Sequence, residues 1–380
     1  PLSSVYSFDQ LIRPYYAFQE ADVDRYKIGG EYRQVMLAAR EVAPWKLDEK
    51  SQTWVNLKLR YTHGFGIAMS PVTDFDSSGR PEFFAGNIPS DGKIPISLLH
   101  SDQIDQLIEN PRIYFGETTK DYVIVNTNQP ELDYYDSGQD LVQGFNYSGS
   151  GGIPISGLLN KLVYAWKLGD LNILITGEIS SGSRLLHRRD IGTRISTIAP
   201  FLKLDGDPYI VASEGKLVWI QDAYTHTKQF PYSDPNELGF NYIRNSVKIV
   251  MDAYNGSLQF YIWDTQDPLV LAYQDMFPVL FKSKDNISDD LLSHTRYPQD
   301  LFRYQSGKYL KYHMVDPQEF YNKEDMWSLP NEKYGQEGEL QPVDPYYLIM
   351  KLPDKKEVEF VLLLPFTRNE PNPILAGWLA

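Results

Sequence analysis

The feature that most constrains the fold is a set of short apolar segments joined by tight turns. The strongest pair is Val247–Asp252 and Leu258–Trp263, which flank Asn255-Gly256. Asn-Gly favours a β-hairpin because both residues accept positive φ at little cost. The odd-numbered positions of the first segment are Val, Ile and Met, and this alternation predicts one buried face.

Other segments show the same signal. Tyr209–Ala212 and Leu217–Ile220 flank a Glu-Gly turn, and Tyr346–Leu352 and Glu357–Leu364 flank a charged one. Both pairs predict hairpins, and the run Phe360–Leu364 predicts a fully buried strand within the second. Residues 61–84 resemble a further hairpin, and residues 121–126 a single strand.

Helices are predicted between these hairpins. One begins after Ser156 and ends at Gly169, and its apolar positions 158, 159, 162, 163 and 166 recur at helical spacing. We expect this apolar face to lie in the core. The remaining predicted helices cover residues 31–41, 50–59, 101–109, 185–201 and 286–327, with Pro298 and Asp316-Pro317 at helix starts.

Strands and helices occur in runs and do not alternate strictly. This order predicts an α+β fold with antiparallel hairpins and mixed sheet packed with helices. A chain of 380 residues is long enough for two domains. We expect a helix-rich lobe at residues 1–200 and a hairpin-rich lobe at residues 201–380.

Composition excludes several functions. The net charge of −14 disfavours a nucleic-acid partner, because phosphate backbones attract Lys and Arg. With no cysteine there is no disulfide, thiolate nucleophile or thiolate metal site. No apolar run approaches the length of a membrane span. The chain begins at Pro1, which predicts a piece cut from a larger protein.

Histidine and aspartate supply the candidate catalytic residues. The usual serine-hydrolase, P-loop, zincin and dinucleotide motifs are missing from the sequence. His63 lies beside two glycines that could leave backbone N–H groups free for an oxyanion, or it could simply be held at a strand entry. Asp222, Tyr224 and His226 alternate, so on a strand they share one side, as a polar site or as a solvated face.

Acidic residues supply the candidate metal ligands. Asp74, Asp76 and Gly79 resemble the opening of a calcium loop, but Ala85 stands where the bidentate glutamate belongs. Asp133, Asp136 and Asp140 lie in the loop-like stretch 130–157, which is the best candidate for a functional loop. They would gather around a cation such as calcium only if that stretch folds back on itself.

Basic residues are concentrated in one segment of this acidic chain. They are Arg184, His187, Arg188, Arg189 and Arg194. On a helix Arg184 and Arg188 would stack one turn apart, and with Arg189 and Tyr224 they are candidate ligand-binding residues. The segment could meet lipid head groups, or it could pair with the acidic surface.

Several longer phrases carry a family resemblance. They include Gly30–Met36, Tyr61–Gly66, Asp121–Thr127 and Asn241–Lys248. In this order they resemble bacterial proteins of the uncharacterised protein family one-eight-two, across nearly the whole chain. The resemblance implies a soluble, extracytoplasmic region of a membrane protein whose membrane spans precede it. It implies envelope protein partners but carries no activity.

The function expected from these observations is a binding or structural module in envelope transport or assembly. The family context and the missing catalytic motifs support it. The alternative is a hydrolase that uses Asp222 with His226, or His63. A calcium-stabilised fold is a third reading.

Overall fold

The computed structural model describes residues 15–28, 31–74, 77, 79, 81, 83–86, 108, 110–135, 142–235, 239–334, 338–368 and 374–380. These residues form an α+β fold, which confirms the predicted class. Contacts group the chain into two units, the first from residues 1–204, 208–225 and 246–294, the second from 205–207, 226–245 and 295–380. The lobe boundary near residue 200 stays a prediction.

Most strands of the described chain belong wholly or mainly to the first unit. They are β1 (Tyr16–Ala17), β2 (Asp22–Ile28), β3 (Glu31–Ala39), β4 (Glu41–Val42), β5 (Gly64–Phe65), β6 (Ile67–Pro71), β7 (Arg112–Ile113), β8 (Val123–Val125), β9 (Glu131–Tyr135), β10 (Val142–Phe145), β11 (Ile153–Pro154), β12 (Arg184–Leu186), β13 (Lys203–Leu204), β14 (Tyr209–Ser213), β15 (Lys216–Thr227), β16 (Tyr242–Asp252), β17 (Leu258–Ile262) and β18 (Phe281–Ser283). The largest sheet has the order β13-β15-β16-β17-β18, with β14 also paired to β15.

The strands of the second unit form a separate set. They are β19 (Trp327–Ser328), β20 (Asn331–Tyr334), β21 (Glu339–Pro342), β22 (Tyr346–Met350), β23 (Glu359–Arg368) and β24 (Leu375–Leu379). Strand β23 pairs antiparallel with β19, β22 and β24, and β20 pairs with β21.

Helices connect the strands in both units. They are α1 (Leu158–Leu168), α2 (Asn172–Ile175), α3 (Ile191–Ile198), α4 (Pro268–Met276), α5 (Asp289–Ser293), α6 (Gln299–Tyr312) and α7 (Pro317–Asn322), with short 3₁₀ turns at Pro44–Lys46, Glu49–Ser51 and Lys284–Asn286 and a π-helical turn at Asn56–Arg60. Helices α6 and α7 belong to the second unit. The predicted start at Asp316-Pro317 is confirmed, because the Asp316 carboxylate caps α7 and Pro317 follows.

The predicted hairpins at residues 209–220, 247–263 and 346–364 are confirmed. The hairpin predicted at residues 61–84 is not, because among the described residues β5 pairs with β7 and β6 with β3, and only an isolated bridge joins Met69 to Ala85. Strands β14 and β15 meet at Glu214 and Gly215, which both have positive φ, as a two-residue hairpin requires. Strands β16 and β17 also pair, but through a longer loop in which Gly256 has a φ of 67°. Asn255 does not share that positive φ, and its side-chain oxygen accepts hydrogen bonds from the Tyr147 hydroxyl and the Ser150 N–H.

The predicted helix at residues 31–41 is wrong, since this segment is strand β3. It pairs with β2 on one side and β6 on the other. Val35 and Leu37 lie in the main core, while Met36 packs in a second cluster with Ala38 and Ala68. Two long-range pairings and burial on both faces therefore outweigh the helix propensity of the sequence.

The predicted helix at residues 185–201 is only partly confirmed, because its first residues are extended. Arg184 belongs to β12, Arg188 has a φ of 51°, and α3 begins after the Asp190 cap. Arg184 and Arg188 therefore do not stack on a helix. The loop-like stretch 130–157 likewise contains strands β9, β10 and β11. The predicted helix at 101–109 lies almost entirely outside the described residues.

Helix α1 forms where it is predicted, and Gly169 ends it in the left-handed conformation with a φ of 68°. The expectation that its apolar stripe is core is wrong, because that stripe is exposed. Ala165 is buried, and it packs with Ile173 and Leu185 in a small core of the first unit. Helical spacing identified an amphipathic helix but not which face it buries.

Candidate ligand-binding site

The second unit contains a cavity of about 690 Å³. Three parts of the unit form its wall: the stretch that leads into β16, helix α6 and the end of β24. The residues around it are Ser233, Asp234, Phe240, Asn241, Tyr242, Ile243, Leu301, Tyr304, Gln305, Lys308, Tyr309 and Leu379. This volume lies within the range of pockets that hold small organic ligands.

Helix α6 supplies one wall because of its residue spacing. Leu301, Tyr304, Gln305, Lys308 and Tyr309 follow one another at intervals of three, four, seven and eight positions from the first, which places them on one face. The helix begins after Pro298 and carries Asp300 in its first turn, where an acidic residue stabilises a helix. The wall is therefore carried by a regular helix of fourteen residues.

The opposite wall depends on a loop that Asn241 holds in place. The Asn241 side-chain amide donates hydrogen bonds to the backbone carbonyls of Phe230 and Ser233, at 2.7 and 3.2 Å. The Ser233 hydroxyl donates in return to the Asn241 carbonyl. The rings of Phe230 and Tyr242 stack with centroids 5.3 Å apart. These contacts fix the loop against the start of β16.

The cavity wall is largely aromatic and apolar. The ring of Phe240 meets that of Tyr304 edge to face, with centroids 5.3 Å apart and an angle of 88°. Burial first, and then the charges of Asp300 and Asp205, raise the pKa of the Tyr304 phenol. Its hydroxyl stays protonated in neutral solution and can donate a hydrogen bond to a ligand.

Polar groups lie at the rim of this apolar body. The ammonium of Lys308 is 3.5 Å from the Asp234 carboxylate, and both side chains are substantially exposed. Such an exposed ion pair is weak and can be opened by a charged ligand. The site thus combines aromatic surface with one cation and one anion, which suits an amphipathic ligand.

The structure separates the predicted site residues Asp222, Tyr224 and His226. All three lie in β15, but Asp222 and Tyr224 are buried in the first unit. The Asp222 carboxylate is 2.5 Å from the Lys248 ammonium, which also lies over the Trp263 ring. His226 is exposed in the second unit, and its ring lies 6.0 Å from that of Phe240 in the cavity wall.

His63 is buried in the first unit, away from solvent. Its Nδ1 lies 2.9 Å from the Gly64 carbonyl, and its Nε2 lies 3.8 Å from Asp133. Burial lowers the pKa of His63 and outweighs the nearby Asp133 and Glu131 charges. The N–H of Gly66 donates to the Pro111 carbonyl, so it is not available to an oxyanion. This geometry fits a structural histidine at a strand entry.

Asp133 is occupied by a salt bridge. Both of its carboxylate oxygens accept hydrogen bonds from Arg112, at 2.7 and 2.6 Å, and the Arg112 guanidinium lies 3.7 Å from the centre of the Phe145 ring. Asp136, Asp140 and Asp76 lie outside the described residues. Within the described residues, no group of three or more His, Asp or Glu side chains is arranged to hold a metal ion. Calcium binding stays a prediction.

The basic residues of 184–194 make backbone contacts. Arg184 donates to the carbonyls of Ser150, Gly151 and Gly152, and so ties down the glycine-rich part of the predicted functional loop. Arg189 is buried and donates to the carbonyls of Tyr114, Asp121 and Thr62. Arg188, by contrast, is exposed.

The sequence interpretation missed most of the cavity. The signal in α6 was present, because its tyrosines share one face with Leu301 and Lys308. The start of β16 and the end of β24 carried no such signal, since their residues join the wall through folding alone. No local pattern links Ile243 to Leu379.

Fold and site together define an α+β protein with an aromatic cavity of ligand size. The chain belongs to the uncharacterised protein family UPF0182, whose model matches residues 1–380. No solved structure matches it. Among the described residues, none of the helices is both long enough and apolar enough to span a bilayer.

Similar proteins occur in several organisms. The chain is 48% identical over 381 residues to a UPF0182 protein of Pelotomaculum thermopropionicum, a match that covers 100% of this chain and 40% of that protein. It is 47% identical to a UPF0182 protein of Cupriavidus necator and 46% identical to one of Methanospirillum hungatei, each over 100% of this chain and 41% of the relative. The chain therefore spans about 40% of the length of these curated relatives.

Proposed function

We propose that this chain is a binding region of a longer protein, and that its cavity holds an amphipathic small molecule. The cavity of about 690 Å³ in the second unit carries the proposal. Pockets that bind small molecules are mostly apolar, with a few polar groups that orient the ligand. Phe240, Tyr242 and Tyr304 supply the apolar surface, and Lys308 and Asp234 supply the polar rim.

The cellular setting is part of the same proposal. We place the chain in the extracytoplasmic part of a cell-envelope membrane protein that acts in transport or assembly, with envelope proteins as partners. The support is the share of the relatives' length that lies outside this chain, together with the acidic net charge, which disfavours nucleic acid.

Fluorescence titration with anilinonaphthalene sulfonate tests the cavity. This probe has an aromatic body and one anionic group, and so matches the apolar wall and Lys308. We expect Tyr309→Ala to weaken binding roughly tenfold, because an aromatic contact is removed from the wall. Tyr312→Ala is the matched control, since Tyr312 lies on the same helix with similar exposure and does not line the cavity.

A second variant tests the same cavity by filling it, where Tyr309→Ala shortens a side chain of its wall. Ile243→Trp adds volume to the cavity wall, and we expect it to exclude the probe while the melting temperature changes little. Equal weakening by Tyr309→Ala and Tyr312→Ala would show that the probe binds elsewhere. A probe affinity unchanged in Ile243→Trp would contradict the cavity as the binding site.

A hydrolase is the second candidate, and the position of His226 favours it. His226 is exposed and lies against the cavity wall through Phe240, where it could act as a base. Asp222, its predicted partner, is held by Lys248. The test is ester hydrolysis by the chain and by His226→Gln. A rate above the uncatalysed reaction that His226→Gln removes would support the hydrolase, and an unchanged rate would exclude His226 as the base.

A further inference from the structure

Helix α1 exposes an apolar surface that a water-soluble helix normally buries. Trp166 is 86% exposed and Leu159 is 73% exposed. Of the other apolar positions of the same stripe, Leu158 is 72% exposed, and Leu162 and Val163 are nearly half exposed. Contiguous exposed apolar patches mark binding surfaces, whereas single exposed apolar residues need no explanation.

The geometry of α1 makes these residues contiguous. At about 100° per residue, the five positions cover an arc of about 140° on one side of the helix. Tyr164 and Leu168 lie on the opposite side and are partly buried, and Ala165, next to the edge of the arc, is fully buried with them. The adjacent helix α2 adds Ile175 and the residue before it adds Leu171, both of them more than two-thirds exposed. We call these seven exposed side chains the apolar ridge; they are Leu158, Leu159, Leu162, Val163, Trp166, Leu171 and Ile175.

The ridge rests on a folded support. The inner side of α1 belongs to a small core with Leu59, Ile124 and Ile173. At the C-terminus of α1, Gly169 in the left-handed conformation donates from its N–H to the Ala165 and Trp166 carbonyls. The ridge is thus presented by an anchored helix, so covering it requires a partner from outside this small core.

Cations border the ridge. Lys167 follows Trp166 and lies at the edge of the apolar arc, with its ammonium 5.5 Å from the Tyr164 ring centre. The Tyr164 ring in turn lies 5.6 Å from the ring of His187. The pKa of His187 is lowered to about 4, by burial first and then by the charges of Lys167, Arg188 and Arg194. Lys167 and His187 therefore both lie near the Tyr164 ring beside α1, and Arg188 follows His187 in the chain.

This charge distribution contrasts with the rest of the chain, whose net charge is −14. Residues 154–200 contain more basic than acidic side chains. The basic ones are Lys161, Lys167, Arg184, Arg188, Arg189 and Arg194, and the acidic ones are Asp170, Glu178 and Asp190. Asp170 is engaged by the Trp54 indole, the Tyr122 hydroxyl and the Asn172 N–H. The exposed cations Lys167 and Arg188 are left to face a partner.

We propose that the apolar ridge docks on an anionic lipid bilayer, with α1 lying in the plane of the interface. Leucine and tryptophan side chains insert among the acyl chains, and Lys167 and Arg188 meet the head-group phosphates. Helices that lie in this interface combine Trp and Leu on one face with Lys and Arg beside it. This inference goes beyond the small-molecule cavity, which lies in the other unit.

A second copy of the chain fits the ridge less well. A twofold interface brings the same patch of two protomers together, so it places Lys167 and Arg188 of both protomers at one interface and adds no anion to offset them. Like charges gathered in this way repel. An anionic surface instead offers opposite charge to every cation at the border.

Vesicle cosedimentation tests the proposal. The chain is mixed with vesicles of equal parts phosphatidylglycerol and phosphatidylcholine, and in parallel with vesicles of phosphatidylcholine alone. We expect binding to the anionic vesicles that falls as salt rises. Leu159→Glu should weaken it by about tenfold or more, because one leucine insertion is lost and a charge must be desolvated. Lys167→Gln should weaken binding to anionic vesicles only.

Controls keep the outcomes distinct. Val279→Glu introduces the same charge at an exposed valine of the same unit and should bind as the wild type does. Urea unfolding checks that Leu159→Glu is folded, which its exposure predicts. Equal binding to both vesicle types, equal loss in Val279→Glu, or no vesicle binding at all would overturn the proposal. So would a dimer in solution that Leu159→Glu dissociates, since the second copy would then be the occupant.

Discussion

Asp133 offers a sharp test of the buried polar network in the first unit. Its side chain is 5% exposed and accepts two hydrogen bonds from Arg112, whose side chain is 16% exposed. Replacing Asp133 with Asn keeps the shape but removes the charge. The amide can still accept one hydrogen bond from Arg112, while its NH₂ group opposes the second donor.

The magnitude follows from these contacts. A hydrogen bond to a charged group contributes about 1.5–3 kcal/mol, and breaking one partner of a buried ion pair costs about 3–5 kcal/mol. Arg112 keeps a long hydrogen bond to Asn110 and some access to water, so the cost lies at the lower end of the range for a broken buried ion pair. We expect Asp133→Asn to lower the free energy of unfolding by about 3 kcal/mol.

Urea unfolding followed by tryptophan fluorescence measures this change. Asp121→Asn is the control, because the Asp121 side chain is 67% exposed in its salt bridge with Lys58, and the change should alter the free energy by less than about 1 kcal/mol. Asp133→Leu combined with Arg112→Met removes both charges together. We expect the double variant to lose less stability than the two single changes summed.

Two results would contradict the proposed stabilising role of the Asp133–Arg112 salt bridge. The first is a loss below about 1 kcal/mol in Asp133→Asn, which would mean that Arg112 is solvated in solution. The second concerns the calcium hypothesis. If calcium raised the melting temperature of the wild type but not of Asp133→Asn, then the Asp133 carboxylate would bind calcium instead of pairing with Arg112.

Other predictions concern pH and backbone conformation. The folded pKa of His187 is about 4 and lies below its unfolded value of 6.5, so the unfolded state takes up the proton first and stability falls as pH drops from 6.5 toward 4. His187→Gln should flatten that part of a plot of melting temperature against pH, and an unchanged slope would show that His187 is not buried in solution. Gly169 and Gly256 have φ values of 68° and 67°, but a Cβ at Gly256 would lie 2.5 Å from the Phe115 ring whereas one at Gly169 meets nothing within 4 Å. In urea unfolding, Gly169→Ala should cost about 1 kcal/mol and Gly256→Ala at least about 1 kcal/mol more, and equal costs would contradict the close packing of Phe115.

Local signals in the sequence predicted the elements that depend on a few neighbouring residues. The turns at Glu214-Gly215 and after Asp252 and the end of α1 at Gly169 all form where they were expected. In each case a glycine or a cap determines the backbone path directly. Long-range pairing leaves no such local signal: the residues of β3 favour a helix by propensity, although β3 pairs with β6, some thirty residues further on.

The candidate site shows the same contrast between local sequence signals and long-range contacts. The alternation of Asp222, Tyr224 and His226 places them on one side if they form a strand, and they do lie in β15, but two of them are buried and His226 is exposed. Asp222 faces Lys248, twenty-six residues away along the chain. The cavity depends on helix α6, the start of β16 and the end of β24, and no spacing rule connects them.

The α+β class, the family, the hairpin turns and the amphipathic character of α1 follow from the amino-acid sequence, because each depends on nearby residues or on phrases read in order. The folded chain sets which face of α1 is buried, which charge pairs with Asp133, and where a cavity opens. Burial and ion pairing depend on residues far apart in the chain, and only the folded chain brings them within a few ångströms of each other.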